Sequence, residues 1–211
     1  MTSQTLEHTR LALHGVAELV LAGPQYAASR QIRLQVTEGG FGTVTSPELR
    51  VDGLELVTPT ARLPLGGTFA GLARAAGVEA RPLRDVYAGG PDLVPADPIV
   101  LEPGAAAEVL DALARGDAAL RAFAPELDPV LWPEHFDVAI TRNEVNYGVS
   151  PGDGHLAEPY AYVGPWAARV GPFWNVEFGA ARLLGELEGH QALLDFFQQG
   201  ASLAVTDPAR A

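Results

Sequence analysis

The chain of 211 residues contains no cysteine and no lysine, and both absences narrow the chemistry open to it. Without cysteine there are no disulfides, no thiolate nucleophiles and no thiolate ligands for zinc or an iron–sulfur cluster. Without lysine there is no Schiff base to pyridoxal phosphate and no lysine for a Walker-type phosphate loop. We therefore expect no pyridoxal phosphate, no iron–sulfur cluster and no P-loop nucleotide, and the composition leaves any other cofactor unspecified.

Basic charge and long apolar runs are also scarce. Arginine supplies all 14 basic residues against 26 acidic ones, which gives a net charge of −12 and a pI of about 4.7. Because such a surface repels phosphate backbones and anionic lipids, nucleic acid and membranes are not expected partners. The apolar runs are too short for a membrane span, and the N-terminal pattern indicates an amphipathic helix rather than a signal peptide. We expect a cytoplasmic protein.

The hydrophobic pattern predicts an α+β fold. Helical periodicity predicts helices over 5–22, between Thr68 and Gly77, over 104–124, from about Phe178, and over 191–204. Gly23-Pro24 should end the first of them. Alternation of apolar and polar residues predicts strands over 31–37, 41–44, 49–57, 136–141, 145–149 and 160–163, with a hairpin turn at Asp52-Gly53. Because these strands alternate, we expect an antiparallel sheet with helices packed on one face.

A segment rich in proline and glycine, residues 80–99, divides the chain, and we interpret it as a long surface connection. The parts on either side, 1–79 and 100–211, share the order helix, three antiparallel strands, helix. We expect a single integrated domain, 1–211, composed of these two sub-halves, although no sequence identity supports a duplication.

Aromatic residues are concentrated in residues 131–178, which hold all three tryptophans and three of the five tyrosines. Large rings beside prolines can line a pocket for an apolar or sugar-like ligand, or form an interface with another protein. They can equally close the end of the sheet as part of the core. The candidate ligand-binding residues are Trp132, Tyr147, Tyr160, Tyr162, Trp166 and Trp174, with Phe173 beside them.

Two imidazoles and two carboxylates fall in the same segment. His135 and Asp137 should project from one face of a strand, roughly 7 Å apart, and His155 and Glu158 lie in a loop that must return to the sheet. The four side chains could bind Zn²⁺, Mn²⁺ or Fe²⁺, or act as acid–base groups without a metal. They could also be two solvated surface pairs.

A literal G-x-S-x-G occurs at residues 148–152, but it departs from the hydrolase elbow. The residue after Ser150 is Pro151, which has no N–H to donate to an oxyanion, and a loop follows rather than a helix. A turn after a strand is the favoured interpretation. His8 and His14 lie six apart on the first predicted helix, so they do not share a face as a ligand pair.

Four stretches of the chain have distinctive sequences: WPEHFDVAIT (132–141), EPYAYVGPW (158–166), QALLDFFQQGASLA (191–204) and TFAGLARAAGVEA (68–80). In these stretches the chain resembles a bacterial, largely actinobacterial, family of proteins of unknown function. The resemblance implies one integrated α+β domain and brings with it no activity, substrate or cofactor.

From these observations we predict a cytoplasmic protein that binds a small molecule in a pocket formed by residues 132–174. If the protein is an enzyme, His135 or His155 would be the general base, with Asp137 fixing the tautomer of the imidazole. One alternative is an interaction module that forms a homodimer or binds a partner through its aromatic surface. The other is a metal-dependent enzyme.

Overall fold

The computed structural model describes residues 3–209, which fold around one ten-stranded antiparallel sheet. The strands are β1 Leu34–Thr37, β2 Gly40–Thr43, β3 Arg50–Asp52, β4 Glu55–Val57, β5 Arg62–Pro64, β6 Val130–Trp132, β7 Asp137–Arg142, β8 Val145–Ser150, β9 Tyr160–Pro165 and β10 Ala180–Leu183. Their order across the sheet is β10-β9-β8-β7-β6-β1-β2-β3-β4-β5.

Helices pack against this sheet, so the predicted α+β class is confirmed. They are α1 Ser3–Gly15, a π-helical segment Val16–Ala22, α2 Gly23–Ser29, α3 Phe69–Ala75, α4 Pro103–Phe123 and α5 Gly189–Thr206. None of the helices within residues 3–209 is long and apolar enough to cross a membrane.

Each half of the chain contributes a meander of five strands, in which every strand pairs with the next one in sequence. The two meanders join where Leu34 of β1 pairs with Leu131 of β6. Both halves have the order helix, strands, helix, with five strands in each rather than the three that we expected. The sheet therefore runs without a break from one half of the chain to the other.

The helix-covered face of β7, β8 and β9 carries the apolar residues of the predicted alternation. Val138, Val149 and Val163 are all fully buried on this face. Gly116 of α4 lies directly against Val138 and Val149, and Gly200 of α5 lies against Val163. The glycines allow both helices to approach the sheet closely, which leaves the opposite face of these strands for polar residues.

The predicted end of the first helix at Gly23-Pro24 is wrong, because the helical path continues to Ser29. Residues 16–22 form π turns, and the N–H of Gly23 donates to the carbonyl of Glu18, five residues back. In a regular helix the ring of Pro24 would strike the carbonyl four residues earlier. The wider π turn moves that carbonyl away, so the proline is accommodated at the first turn of α2.

The helix predicted from Phe178 is also wrong, because Ala180–Leu183 forms the edge strand β10. Ala181 pairs with Tyr162 of β9, and Gly179 has φ +139°, which a helix does not allow. The apparent helical spacing arises because Leu184 and Leu187 belong to the turns that follow the strand. Pairing with the open edge of β9 therefore outweighed the helical pattern of the sequence at these residues.

Local capping signals, in contrast, predicted α3 closely. The side chain of Thr68 accepts a hydrogen bond from the N–H of Gly71, as an N-cap does, and Gly77 after the helix has φ +76°. The connection over 80–99 contains no helix and no strand of the sheet, as expected. It is not confined to the surface, however, because Leu83 is buried against the π-helical segment and donates its N–H to Glu18.

The close approach of α4 to the sheet gives the first prediction. A Cβ on Gly116 would lie 2.7 Å from atoms of Val138 and Val149, so Gly116→Ala should lower the free energy of unfolding by about 1–2 kcal/mol despite alanine's better helix propensity. The control is Gly66→Ala, where no atom lies within 4 Å and a change within about 0.5 kcal/mol is expected. Urea unfolding measures both, and an unchanged stability of Gly116→Ala would contradict the close packing.

Candidate functional site

A pocket of about 630 Å³ opens where β7 begins, β8 ends and β9 begins. Because the strands are antiparallel, Ser150 at the end of β8 lies beside Tyr160 at the start of β9. Asp137, the first residue of β7, lies at this same end of the strands. Helix α1, the loop around Gly90, the turn before β7 and the loop after β8 complete the walls. The charged, polar and aromatic residues of the lining are Glu7, Arg10, His14, Glu134, His135, Phe136, Asp137, Ser150, Asp153, His155, Tyr160, Tyr162 and Phe178.

Asp137 is the buried acid of this pocket, with only 6% of its surface exposed. Its Oδ2 accepts a short hydrogen bond from the hydroxyl of Tyr162. Its Oδ1 is buried and has no hydrogen-bond partner among residues 3–209. Burial raises the pKa of this carboxyl, and the hydrogen bond from Tyr162 only partly opposes the rise.

Gly148 allows Tyr162 to reach Asp137. Gly148 of β8 pairs with Tyr162 of β9 on one side and with Ala139 of β7 on the other. A Cβ at this position would lie 2.5 Å from the hydroxyl oxygen of Tyr162. The ring of Tyr162 therefore lies across the bare backbone of β8 and places its hydroxyl next to β7, two strands away.

A second pair of tyrosine and aspartate lies beside the first. The hydroxyl of Tyr160 donates to Oδ2 of Asp153 at 2.5 Å. The other oxygen of Asp153 accepts the backbone N–H groups of His155 and Leu156, at 2.7 and 3.0 Å. Asp153 thus fixes the loop after β8 and holds the start of β9 against it, and burial raises the pKa of Tyr160.

Three aromatic rings form one wall of the pocket. The centroids of Tyr160, Tyr162 and Phe178 are 6.3–6.4 Å from one another. The imidazole of His155 meets the ring of Phe178 edge-on at 5.6 Å. The tyrosine hydroxyls bind the two aspartates, so this wall combines apolar ring surface with anchored carboxyl groups.

Helix α1 provides the opposite wall. Arg10 donates to the carbonyl of Ala157 at 2.9 Å, and burial lowers the pKa of its guanidinium. His14 stacks on Phe136, with ring centroids 5.3 Å apart, and its Nε2 lies 2.7 Å from the carbonyl of Pro133. Burial lowers the pKa of His14 to about 4, so this imidazole is neutral at pH 7 and its Nε2 carries the hydrogen that the carbonyl accepts.

The structure brings three of the four predicted acid–base residues to one pocket. His135, Asp137 and His155 all line it, whereas Glu158 is exposed and lies outside. The expected strand geometry of His135 is wrong, because Phe136 has φ +54° and the strand begins only at Asp137. Asp137 is bound by Tyr162, so it does not fix the tautomer of either histidine.

The metal hypothesis has no ligand set in the part of the chain that the structure describes. Across residues 3–209 no three histidine, aspartate or glutamate side chains are placed so that they could hold a metal ion. The separation of Glu158 from the pocket removes one of the four ligands that the sequence suggested.

The predicted aromatic set is divided between different parts of the structure. Tyr160 and Tyr162 line the pocket. Tyr147 lies on the opposite face of the sheet, where it packs between Phe123 and Phe197. The others also lie away from the pocket: the ring of Trp132 is covered by the guanidinium of Arg33, Trp166 is 67% exposed, the indole of Trp174 donates to Asp207, and Phe173 is buried against Trp174 and Phe196.

The G-x-S-x-G segment is a turn, as the sequence favoured. The hydroxyl of Ser150 is buried and accepts the N–H of Gly152 at 3.2 Å. Gly152 has φ +104° and starts the loop that carries Asp153. Sequence reasoning missed Arg10 and His14 as pocket residues, because their position depends on how α1 packs against α4 and the turns beside the strands, and no local pattern records it.

The burial of His14 predicts a pH dependence of stability. The unfolded chain binds a proton at His14 below about pH 6.5, whereas the folded protein does so only near pH 4. Stability is therefore lost as the pH falls through this window, by up to about 3 kcal/mol. His14→Gln should flatten the decline by this amount, measured by urea unfolding between about pH 7 and pH 4. His8→Gln, on the exposed side of α1, is the control, and equal slopes in both variants would contradict the assignment.

Comparison of the chain with family models, with curated proteins and with solved structures returned no match. The resemblance to a largely actinobacterial family therefore stays a prediction.

Proposed function

We propose that this protein binds a small organic molecule in the pocket around Asp137. The observation that carries the proposal is the buried, unpaired Oδ1 of Asp137. Burying a carboxyl oxygen without a hydrogen bond costs free energy, and at the wall of a pocket such an atom is a candidate for contact with a ligand. A bound molecule would supply the missing partner.

The size and lining of the pocket fit this function. Its volume of about 630 Å³ falls within the range usual for small-molecule sites. Ring surface from Tyr160, Tyr162 and Phe178 provides apolar contact, and the carboxyl of Asp137 provides a directional group at one end. Few polar groups set among aromatic walls are typical of sites that orient one ligand.

Simple binding has more support than the alternatives. His135 and His155 are exposed, and neither forms a hydrogen bond with Asp137 that would tune it as a base. Few of the aromatic residues are exposed for an interface with another protein. Trp132 contacts Arg33 and Trp174 donates to Asp207, and Trp166 alone among the indoles is strongly exposed.

Removing the Asp137 carboxyl should weaken binding. We expect a set of fragment-sized molecules, screened by ligand-observed NMR, to contain binders whose affinity falls at least tenfold in Asp137→Asn, a loss of about 1.4 kcal/mol or more. Glu158→Gln makes the same chemical change outside the pocket and should leave binding intact. A set in which nothing binds, or in which binding is insensitive to Asp137→Asn, would overturn the proposal.

The same substitution should not cost stability at neutral pH. Because the folded protein holds a proton on Asp137 more readily than the unfolded chain does, this group's contribution to stability falls as the pH rises above about 3.8. We expect Asp137→Asn to be as stable as the wild type or more stable, by on the order of 1 kcal/mol at pH 7. Thermal unfolding measures this, with Glu158→Gln as control. A marked loss of stability would identify Asp137 as a structural group instead.

A further inference from the structure

We infer that the ligand of this pocket is an organic cation, a protonated amine whose N–H donates to Oδ1 of Asp137 while its carbon atoms contact the rings of Tyr160, Tyr162 and Phe178. The inference rests on the proposed function and names the chemical class of its ligand. It follows from three independent features of the pocket: its charge, the free acceptor, and the aromatic wall.

The charges that line the pocket favour a cation. Four carboxyl groups face it, from Glu7, Glu134, Asp137 and Asp153, against the single guanidinium of Arg10. His14 adds no charge at neutral pH, since burial holds its pKa near 4. The pocket lies in a chain of net charge −12, so a cation is drawn both to the molecule and to this part of it.

Arg10 is not available to attract an anion into the pocket. Its guanidinium donates to the carbonyl of Ala157, and Glu7 and Asp153 lie close enough to interact with its charge. An anionic ligand would have to compete with these groups and approach Asp137 as well, and like charges at short distance in a partly buried site repel strongly.

The free oxygen of Asp137 is an acceptor with a fixed position. Tyr162 already occupies the other oxygen, so the carboxyl cannot rotate without breaking that bond. An ammonium group brings up to three donors and a positive charge, and a hydrogen bond between two ionised groups is about twice as strong as one between neutral groups. A neutral alcohol could donate to the same oxygen but would gain no Coulomb attraction.

The aromatic wall completes the match. The three rings lie within 6.4 Å of one another beside the carboxyl group, and ring faces attract ammonium and guanidinium groups that have lost part of their water. Both tyrosine hydroxyls donate to aspartates, and these bonds hold the two rings in place beside the carboxyl group. A carboxyl group beside aromatic rings suits an alkyl- or arylalkylammonium ion, which is charged at neutral pH.

The test compares small molecules that share one carbon skeleton and carry a cationic, a neutral or an anionic group. Ethyl-, benzyl- and phenethylammonium ions are each titrated beside the alcohol and the carboxylate of the same skeleton, by protein-observed NMR at neutral pH. We expect at least one ammonium ion to bind tenfold or more tightly than its alcohol, and the carboxylates to show no saturable binding. The preference should disappear in Asp137→Asn and decrease in Tyr162→Phe.

Glu158→Gln separates recognition from general attraction to an acidic protein, and it should bind the ammonium ions as the wild type does. If the alcohols bind as tightly as the ammonium ions and Asp137→Asn still weakens them, the cation inference fails and the proposed function stands. An ammonium preference that survives Asp137→Asn also overturns the inference. If neither these probes nor the fragment set bind in the pocket, the proposed function itself fails.

Discussion

The contact between Tyr162 and Asp137 across Gly148 is the constraint on which the pocket depends. Antiparallel register pairs the glycine of β8 with the tyrosine of β9 on one side and with Ala139 of β7, two residues from Asp137, on the other, and the missing Cβ leaves room for the ring to cross. The crossing buries one carboxyl oxygen against a hydroxyl and leaves the other without a partner. A larger residue at position 148 would push the ring away, and the carboxyl would have no fixed orientation.

A buried carboxyl with one unpaired oxygen is tolerated because the other face of the same strands is apolar and tightly packed. Val138, next to Asp137, belongs to that face and is fully buried beneath Gly116 of α4. The alternation of a strand thus places tightly packed residues on one face and the carboxyl of the pocket on the other, one position apart. Loss of free energy at Asp137 is offset by burial of its neighbours.

Sequence reasoning succeeded where the signal was local and failed where tertiary packing decided. The N-cap at Thr68 and the strand alternation around Val138 are properties of a few adjacent residues, so helix α3 and the sheet were predictable. The helix expected from Phe178 failed because an open strand edge competed with helical spacing. The pocket is lined in large part by residues of the segment that the sequence singled out, but its opposite wall comes from α1, and His14 in that wall lies more than a hundred residues away in sequence.

A second buried carboxyl positions the loop around Gly90, which completes the pocket beside α1. Glu18, in the π-helical segment after α1, is 1% exposed and accepts from the hydroxyl of Tyr87 and the N–H of Leu83. These bonds tie the long connection to the first helix and hold Gly90 where it lines the pocket. Glu18 has both oxygens bonded, and Asp137 has only one. The two buried acids therefore differ in how completely their oxygens are hydrogen-bonded, and the proposed binding at Asp137 depends on that difference.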